Sequence, residues 1–246
     1  MPDPTLMLVG AVFALAGFVK GAVGPGLPTI VMGMLAIVMT PVHAAAILLL
    51  PSFVTNVWQM LAGPAFAVVV RRLWSMMAGV LIGTWAGLGL MTGATARFGT
   101  ALLGVALALY AVAGLAVLRL SVAKAWEPIL SPAVGAITGV ISAATGVFVI
   151  PAVPYLQAIG LEKEELVQAL GLSFTVSTVA VAVNVGLEGG LRLFPISETL
   201  VALALACVGM WIGQTLRLRM SPMTFRRWFF AGLLLLGGYL VARSFA

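Results

Sequence analysis

The residues best placed for chemistry gather near the N-terminus, in the run Gly17-Phe18-Val19-Lys20-Gly21-Ala22-Val23-Gly24-Pro25-Gly26-Leu27-Pro28-Thr29. Lys20 is an ionisable group inside an apolar stretch, where a charge is costly and commonly marks a substrate or ion path. Gly21, Gly24 and Gly26 let an oxyanion approach the backbone closely. Pro28 suits the first turn of a restarting helix. With Thr29 it would sit where free N–H groups and the positive end of the helix dipole face inward. The chemistry of such a set is electrostatic capture of an anion, with no bond made or broken. A second reading of Lys20 stays open. It lies about 15 residues, or ~22 Å of helix, from the outer entrance of its segment, from where it could snorkel to the cytoplasmic interface.

A weaker echo follows in Ser142-Ala143-Ala144-Thr145-Gly146, ahead of Pro151 and Pro154. Between the two clusters lie neutral polar groups in apolar runs. Asn56 and Gln59, three apart, share a helix face, and Thr55 precedes them. Ser173, Ser177 and Asn184 fall at helical spacing, with Thr175 and Thr178 nearby. These residues either line a polar path or hydrogen-bond between helices, as membrane helices routinely do. The one histidine, His43, reads as an interfacial polar residue, with pH sensing as the alternative. Glu162-Lys163-Glu164-Glu165 reads as a solvated helix start. One His and one Cys (Cys207) cannot complete a zinc set. H-E-x-x-H, G-x-S-x-G and nucleotide motifs are missing. An intramembrane protease, the main enzyme alternative, would therefore lack a base partner, and no cofactor is expected.

The elements that position these residues follow from composition. The 246 residues are 62% hydrophobic and 8% charged, against about a quarter charged in a soluble domain. Apolar runs of roughly 20 residues recur, the length that spans ~30 Å of hydrocarbon as helix, and period-2 alternation is missing. The class is an all-α polytopic membrane protein in one transmembrane domain spanning residues 1–246. The formal charge of +6 reflects basic residues between apolar runs, which fits the positive-inside bias and not nucleic-acid binding. The N-terminus lacks the features of a cleaved signal.

The chain reads as repeat one over residues 5–120, a polar connection at 121–131 and repeat two over 132–246. Repeat one holds a segment from Thr5 to Thr40 broken at 21–28, then segments near 42–62, 73–93 and 98–119. Repeat two holds a broken segment at 132–160, then segments near 165–187, 196–217 and 223–244. Gly17, Gly24 and Pro28 match Gly139, Gly146 and Pro151, and Ser52-Phe53 matches Ser173-Phe174. Gly83-Thr84-Trp85-Ala86-Gly87 matches Gly209-Met210-Trp211-Ile212-Gly213, a shared G-x-W-x-G suited to close helix packing. Arg71-Arg72 places one loop in the cytoplasm; in the second half Arg217, Arg219, Arg226 and Arg227 mark the following loop instead. Corresponding loops then face opposite sides, so the repeats are inverted. Inversion requires each broken segment to enter and leave on one face, as a re-entrant hairpin beside three transmembrane helices. Both termini then lie outside the cytoplasm. Arg71, Arg72, Arg119, Lys124, Lys163, Arg217, Arg219, Arg226 and Arg227 lie inside, against Arg97, Arg192 and Arg243 outside.

The glycine-lysine cluster at 17–28, its echo at 139–151 and the paired G-x-W-x-G resemble the TauE/SafE family, also called the TSUP group, over nearly the whole chain. The resemblance implies a secondary transporter in the inner (plasma) membrane. It would export a small sulfur-containing anion such as sulfite, sulfoacetate or another organosulfonate. The hairpin tips and helix N-termini would bind it near the midplane. Partners are the anionic substrate and the lipid bilayer, and a homo-oligomer is compatible with the sequence. An anion channel and a membrane scaffold or assembly subunit remain the alternatives.

Overall fold

The computed structural model describes residues 4–92, 96–116, 121–190, 196–216 and 222–245. Among them no strand occurs. The helices are α1 (Pro4–Val23), α2 (Leu27–Leu35), α3 (Pro41–Leu61), α4 (Phe66–Ala86), α5 (Ala96–Leu115), α6 (Glu127–Thr145), α7 (Ala152–Ala158), α8 (Lys163–Leu187), α9 (Ile196–Leu216) and α10 (Pro222–Phe245). Among the described residues seven helices are long and apolar enough to cross a membrane: α1, α3, α4, α5, α6, α8 and α9. Helix α10 has 24 residues. With apolar side chains all round, these elements are stable only in lipid or against one another, and helices satisfy their own backbone there. Local chemistry sets several starts. Thr40 accepts a bond from the His43 N–H ahead of α3, and Glu162 with Glu165 forms a capping box at α8.

Two boundaries differ from the sequence reading. The segment expected at 73–93 is α4, which begins at Phe66. Arg71 and Arg72 therefore belong to its second turn and not to a loop. The helix tolerates them because Arg71 is exposed and Arg72 pairs with Glu127. Glu127 in turn begins α6, ahead of the expected start at 132, with Pro128 in the first turn. Arg119, Arg192, Arg217 and Arg219, used above for orientation, lie outside the described residues.

The helices pair in an exchanged pattern: α1 lies along α9, α4 along α6, α3 against α8 and α5 against α10. The G-x-W-x-G glycines set the two long contacts. A Cβ on Gly83 would stand 2.0 Å from the Ala136 carbonyl oxygen, and one on its counterpart Gly209 would stand 2.2 Å from that of Ala14. The backbones thus touch, as small residues in membrane helices allow, while Trp85 and Trp211 point outward, 72% and 67% exposed. Contact order gives direction. Gly10, Gly17 and Gly21 meet residues progressively later in α9, so α1 and α9 run parallel, as do α4 and α6. On α3 and α8, Asn56 meets Thr178 whereas Gln59 meets Val167, an antiparallel order. Helices α5 and α10 are also antiparallel, with Gly104 against Gly237 and Gly114 against Phe230.

Each broken segment has one long arm and one short arm. Helix α1 has 20 residues and α2 nine; α6 has 19 and α7 seven. The long arms cover about 30 Å. One guanidinium joins the two ends of the second segment: Arg72 donates to the Glu127 carboxylate at 2.7 and 2.9 Å and to the Ile159 carbonyl at 2.7 Å. In the first segment, α1 starts beside the start of α9, and His43 at the head of α3 lies 3.7 Å from Glu198 on α9. The short arms and the turn at Val147, Phe148 and Val149 are buried in the core. Their irregular backbone is therefore kept from lipid.

Candidate functional site

Lys20 lies one turn before the break in α1 and is only 4% exposed. Burial of the whole side chain excludes snorkelling to an interface. Its Nζ donates to Oδ1 of Asn56 on α3. Nδ2 of Asn56 donates to Oγ1 of Thr178 on α8 at 3.3 Å, and that hydroxyl donates to the Phe174 carbonyl at 2.7 Å. Nζ also sits 5.9 Å from the centroid of the Phe174 ring, within cation–π range. The same ring lies 5.3 Å from Phe148, within the second break. Phe174 thus links the two breaks. A second link is Met32 of α2, whose side chain packs over Gly146. Among the described residues, no carboxylate forms an ion pair with Lys20.

The first break is built as its glycines imply. Gly24 and Gly26 have φ of +100° and +150°, in the region that favours glycine. A Cβ on Gly24 would meet nothing within 4 Å, so space remains beside it. Gly26 precedes α2, Pro28 occupies its first turn, and the buried Thr29 hydroxyl donates to the Gly26 carbonyl at 2.7 Å. Gly21 does different work: a Cβ there would stand 2.2 Å from the Met210 carbonyl oxygen, so Gly21 admits α9.

The second break is more closed. Gly146 ends α6 in the left-handed conformation, φ +70°. Ser142 donates to the Thr138 carbonyl at 2.7 Å. Thr145 donates to the Ile141 carbonyl at 2.6 Å and accepts from the Val147 N–H at 3.1 Å. Both hydroxyls are thus engaged by their own backbone. Helix α7 restarts at Ala152 with Pro151 as its cap, and at seven residues it offers just under two turns.

On α3 and α8 the polar residues divide into two groups. Gln59 donates to the Val167 carbonyl at 3.2 Å. Gln168, which sequence reasoning missed, donates to Met60 and Gly63 carbonyls at 2.9 and 2.8 Å and accepts from Ala65 N at 2.7 Å. Asn184 donates to the Thr84 carbonyl at 2.7 Å. These amides staple helices. Ser52, Ser173 and Ser177 are buried, and their hydroxyls, like Oε1 of Gln59, have no hydrogen-bond partner in the protein. Buried polar atoms are ordinarily satisfied, so these hydroxyls could serve a solute or water. The ring of Phe174 was missed because one more phenylalanine in an apolar run gives no local signal; Thr178 was noted only as a neighbour.

Among the described residues no three His, Cys, Asp or Glu side chains converge on a metal-sized site. The arrangement offers one buried cation, glycine turns with open space and unpartnered hydroxyls. Its charge and donors are chemically suited to an anion. A comparison with protein-family models matches the description "Sulfite exporter TauE/SafE" over residues 9–240. No curated protein and no solved structure matches the chain. That match spans nearly the whole sequence, with both breaks and all ten helices in whole or in part. The chain therefore belongs to the TauE/SafE sulfite exporter family, a family of membrane transporters.

Proposed function

We propose that this transporter exports a small sulfur-containing anion, such as sulfite or an organosulfonate, held between the two helix breaks beside Lys20. The observation that carries the proposal is the buried Lys20 amine, bonded to a neutral amide and unpaired with any carboxylate among the described residues. A buried cation without a counter-charge is expensive, and a bound anion offsets that cost. Asn56, Thr29, the Gly24–Gly26 turn and the Ser173 and Ser177 hydroxyls supply neutral contacts. Release is then not opposed by a second fixed cation. An inside-negative potential favours anion exit by about 2.3 kcal/mol per charge per 100 mV, so net export needs no coupling ion.

The antiparallel counterparts α3 and α8, and α5 and α10, support two inverted repeats. The exchanged pairs α1–α9 and α6–α4 are what a two-fold relation between the repeats produces. This is the architecture of many secondary transporters, with their sites at the repeat interface. Arg71, Arg72, Lys124 and Lys163 lie toward the end where Arg72 binds Ile159, and the opposite end carries Arg243 near Ile37. The positive-inside bias orients the first end to the cytoplasm and puts both termini outside.

Flux in proteoliposomes loaded with sulfite, sulfate, thiosulfate or sulfoacetate tests the substrate class. Selective sulfite or sulfoacetate efflux supports the reading. Folded protein that moves none of the four overturns it and favours a scaffold role.

A further inference from the structure

We infer that the membrane-facing trough between α4 and α6 is a binding site for an anionic phospholipid. A cavity of about 720 Å³ runs along these helices, with Arg72 and Lys124 at one end and Trp74, Ala78, Ile82 and Ala136 among the residues beyond. The Arg72 guanidinium is committed to Glu127 and the Ile159 carbonyl, and the Glu127 carboxylate is neutralised by it. Lys124 is exposed in the short turn before α6; its carbonyl accepts from the Glu127 N–H, while among the described residues no hydrogen bond or ion pair within 4 Å holds its amine. Glu127 lies in the field of Lys124 as well as Arg72, and Glu165 in that of Arg72; with exposed Arg71 next to Arg72, the three cations outnumber these two carboxylates, so the mouth keeps a net positive charge.

The dimensions fit a lipid. From Arg72 to Ile82 the helix rises about 15 Å, half of the ~30 Å hydrocarbon core and so the depth of one leaflet. Trp74 and Trp126 are 66% and 59% exposed and flank the charged end, the placement expected of aromatic residues at headgroup level. Below them Ile82 is 64% exposed, an apolar wall for an acyl chain. Basic pockets between membrane helices at the cytoplasmic surface select anionic headgroups. A zwitterionic headgroup carries its own cation and gains less from Lys124. The trough on α3 and α8 and the one beside α1, α2 and α10 have no cation in their lining, so they give no comparable headgroup selection.

The test uses the full chain in a zwitterionic detergent, with dissociation constants for palmitoyl-oleoyl phosphatidylglycerol and phosphatidylcholine read by native mass spectrometry. The wild type should prefer phosphatidylglycerol by about fivefold, the contribution of one cation at an anionic surface. Lys124→Gln should abolish that preference without changing the thermal midpoint, and Ala78→Leu, which fills the trough, should weaken both lipids. Equal affinity for the two lipids in the wild type, or a preference that survives Lys124→Gln, overturns the assignment. Displacement of phosphatidylglycerol by glycerol 3-phosphate also overturns it, because the site would then take a soluble phosphate.

Discussion

Lys20 on α1 donates to Oδ1 of Asn56 on α3, and this single bond ties the break in the first helix to the α3–α8 pair at the centre of the protein. The acceptor is neutral. Asn56 orients the amine, and Thr178 orients Asn56, and neither supplies a counter-charge.

Exchange of that neutral acceptor for a carboxylate should therefore be as damaging as loss of the amine. Asn56→Asp supplies a fixed counter-ion in place of the transported one. Sulfite efflux from proteoliposomes should fall by about tenfold or more, equivalent to ~1.4 kcal/mol or more, while the helical circular dichroism and thermal midpoint hold. Efflux at the wild-type rate in Asn56→Asp would show that the charge at Lys20 is not used.

The hydroxyls of Ser173 and Ser177 lack protein partners, so stability and transport should separate there. Removing an unsatisfied buried polar group is near neutral or stabilising. Ser173→Ala and Ser177→Ala should stay within about 0.5 kcal/mol of wild type in denaturant unfolding, yet each should slow sulfite efflux. A drop of stability with unchanged efflux would assign these serines to packing.

Glycines at the exchanged helix contacts should behave in the opposite way. Gly83→Val and Gly209→Val drive a side chain into the Ala136 and Ala14 carbonyls. Overpacking of this kind costs about 1–3 kcal/mol, and both should lower the thermal midpoint. Trp85→Ala and Trp211→Ala, at outward positions between those glycines and their partners, should cost less. Similar losses for all four variants would contradict the packing described.

Orientation can be read by labelling. In a Cys207→Ser background, Lys163→Cys should react with a membrane-impermeant maleimide only from the cytoplasmic side, and Arg243→Cys only from outside. Labelling of both from one side would sink the inverted arrangement.

The breaks, the duplicated glycines and the paired G-x-W-x-G were legible because each is a local departure from apolar helix: a turn that only glycine allows, or a contact that only a missing side chain permits. Lys20 was legible as an ionisable group deep in an apolar run. Boundaries were less so. Where flanking residues are as apolar as the helix, only charge marks an end, and Arg71 and Arg72 misled because exposure of Arg71 and the ion pair of Arg72 with Glu127 let them enter α4. The partners of Lys20 were partly hidden. Asn56 stood out as an amide, whereas Phe174, Phe148 and Met32 join the two breaks through shape, which hydropathy does not report. Gly21 looked equivalent to Gly24, but Gly21 is helical and packs against α9, whereas Gly24 turns the chain with a positive φ.

The most direct measurement is sulfite efflux from proteoliposomes holding wild type or Lys20→Met, with folding checked by thermal unfolding in the same preparation. Methionine keeps the apolar stem and removes the charge. The account predicts that Lys20→Met remains folded and loses sulfite efflux. Efflux of sulfite at the wild-type rate by a folded Lys20→Met protein would contradict it.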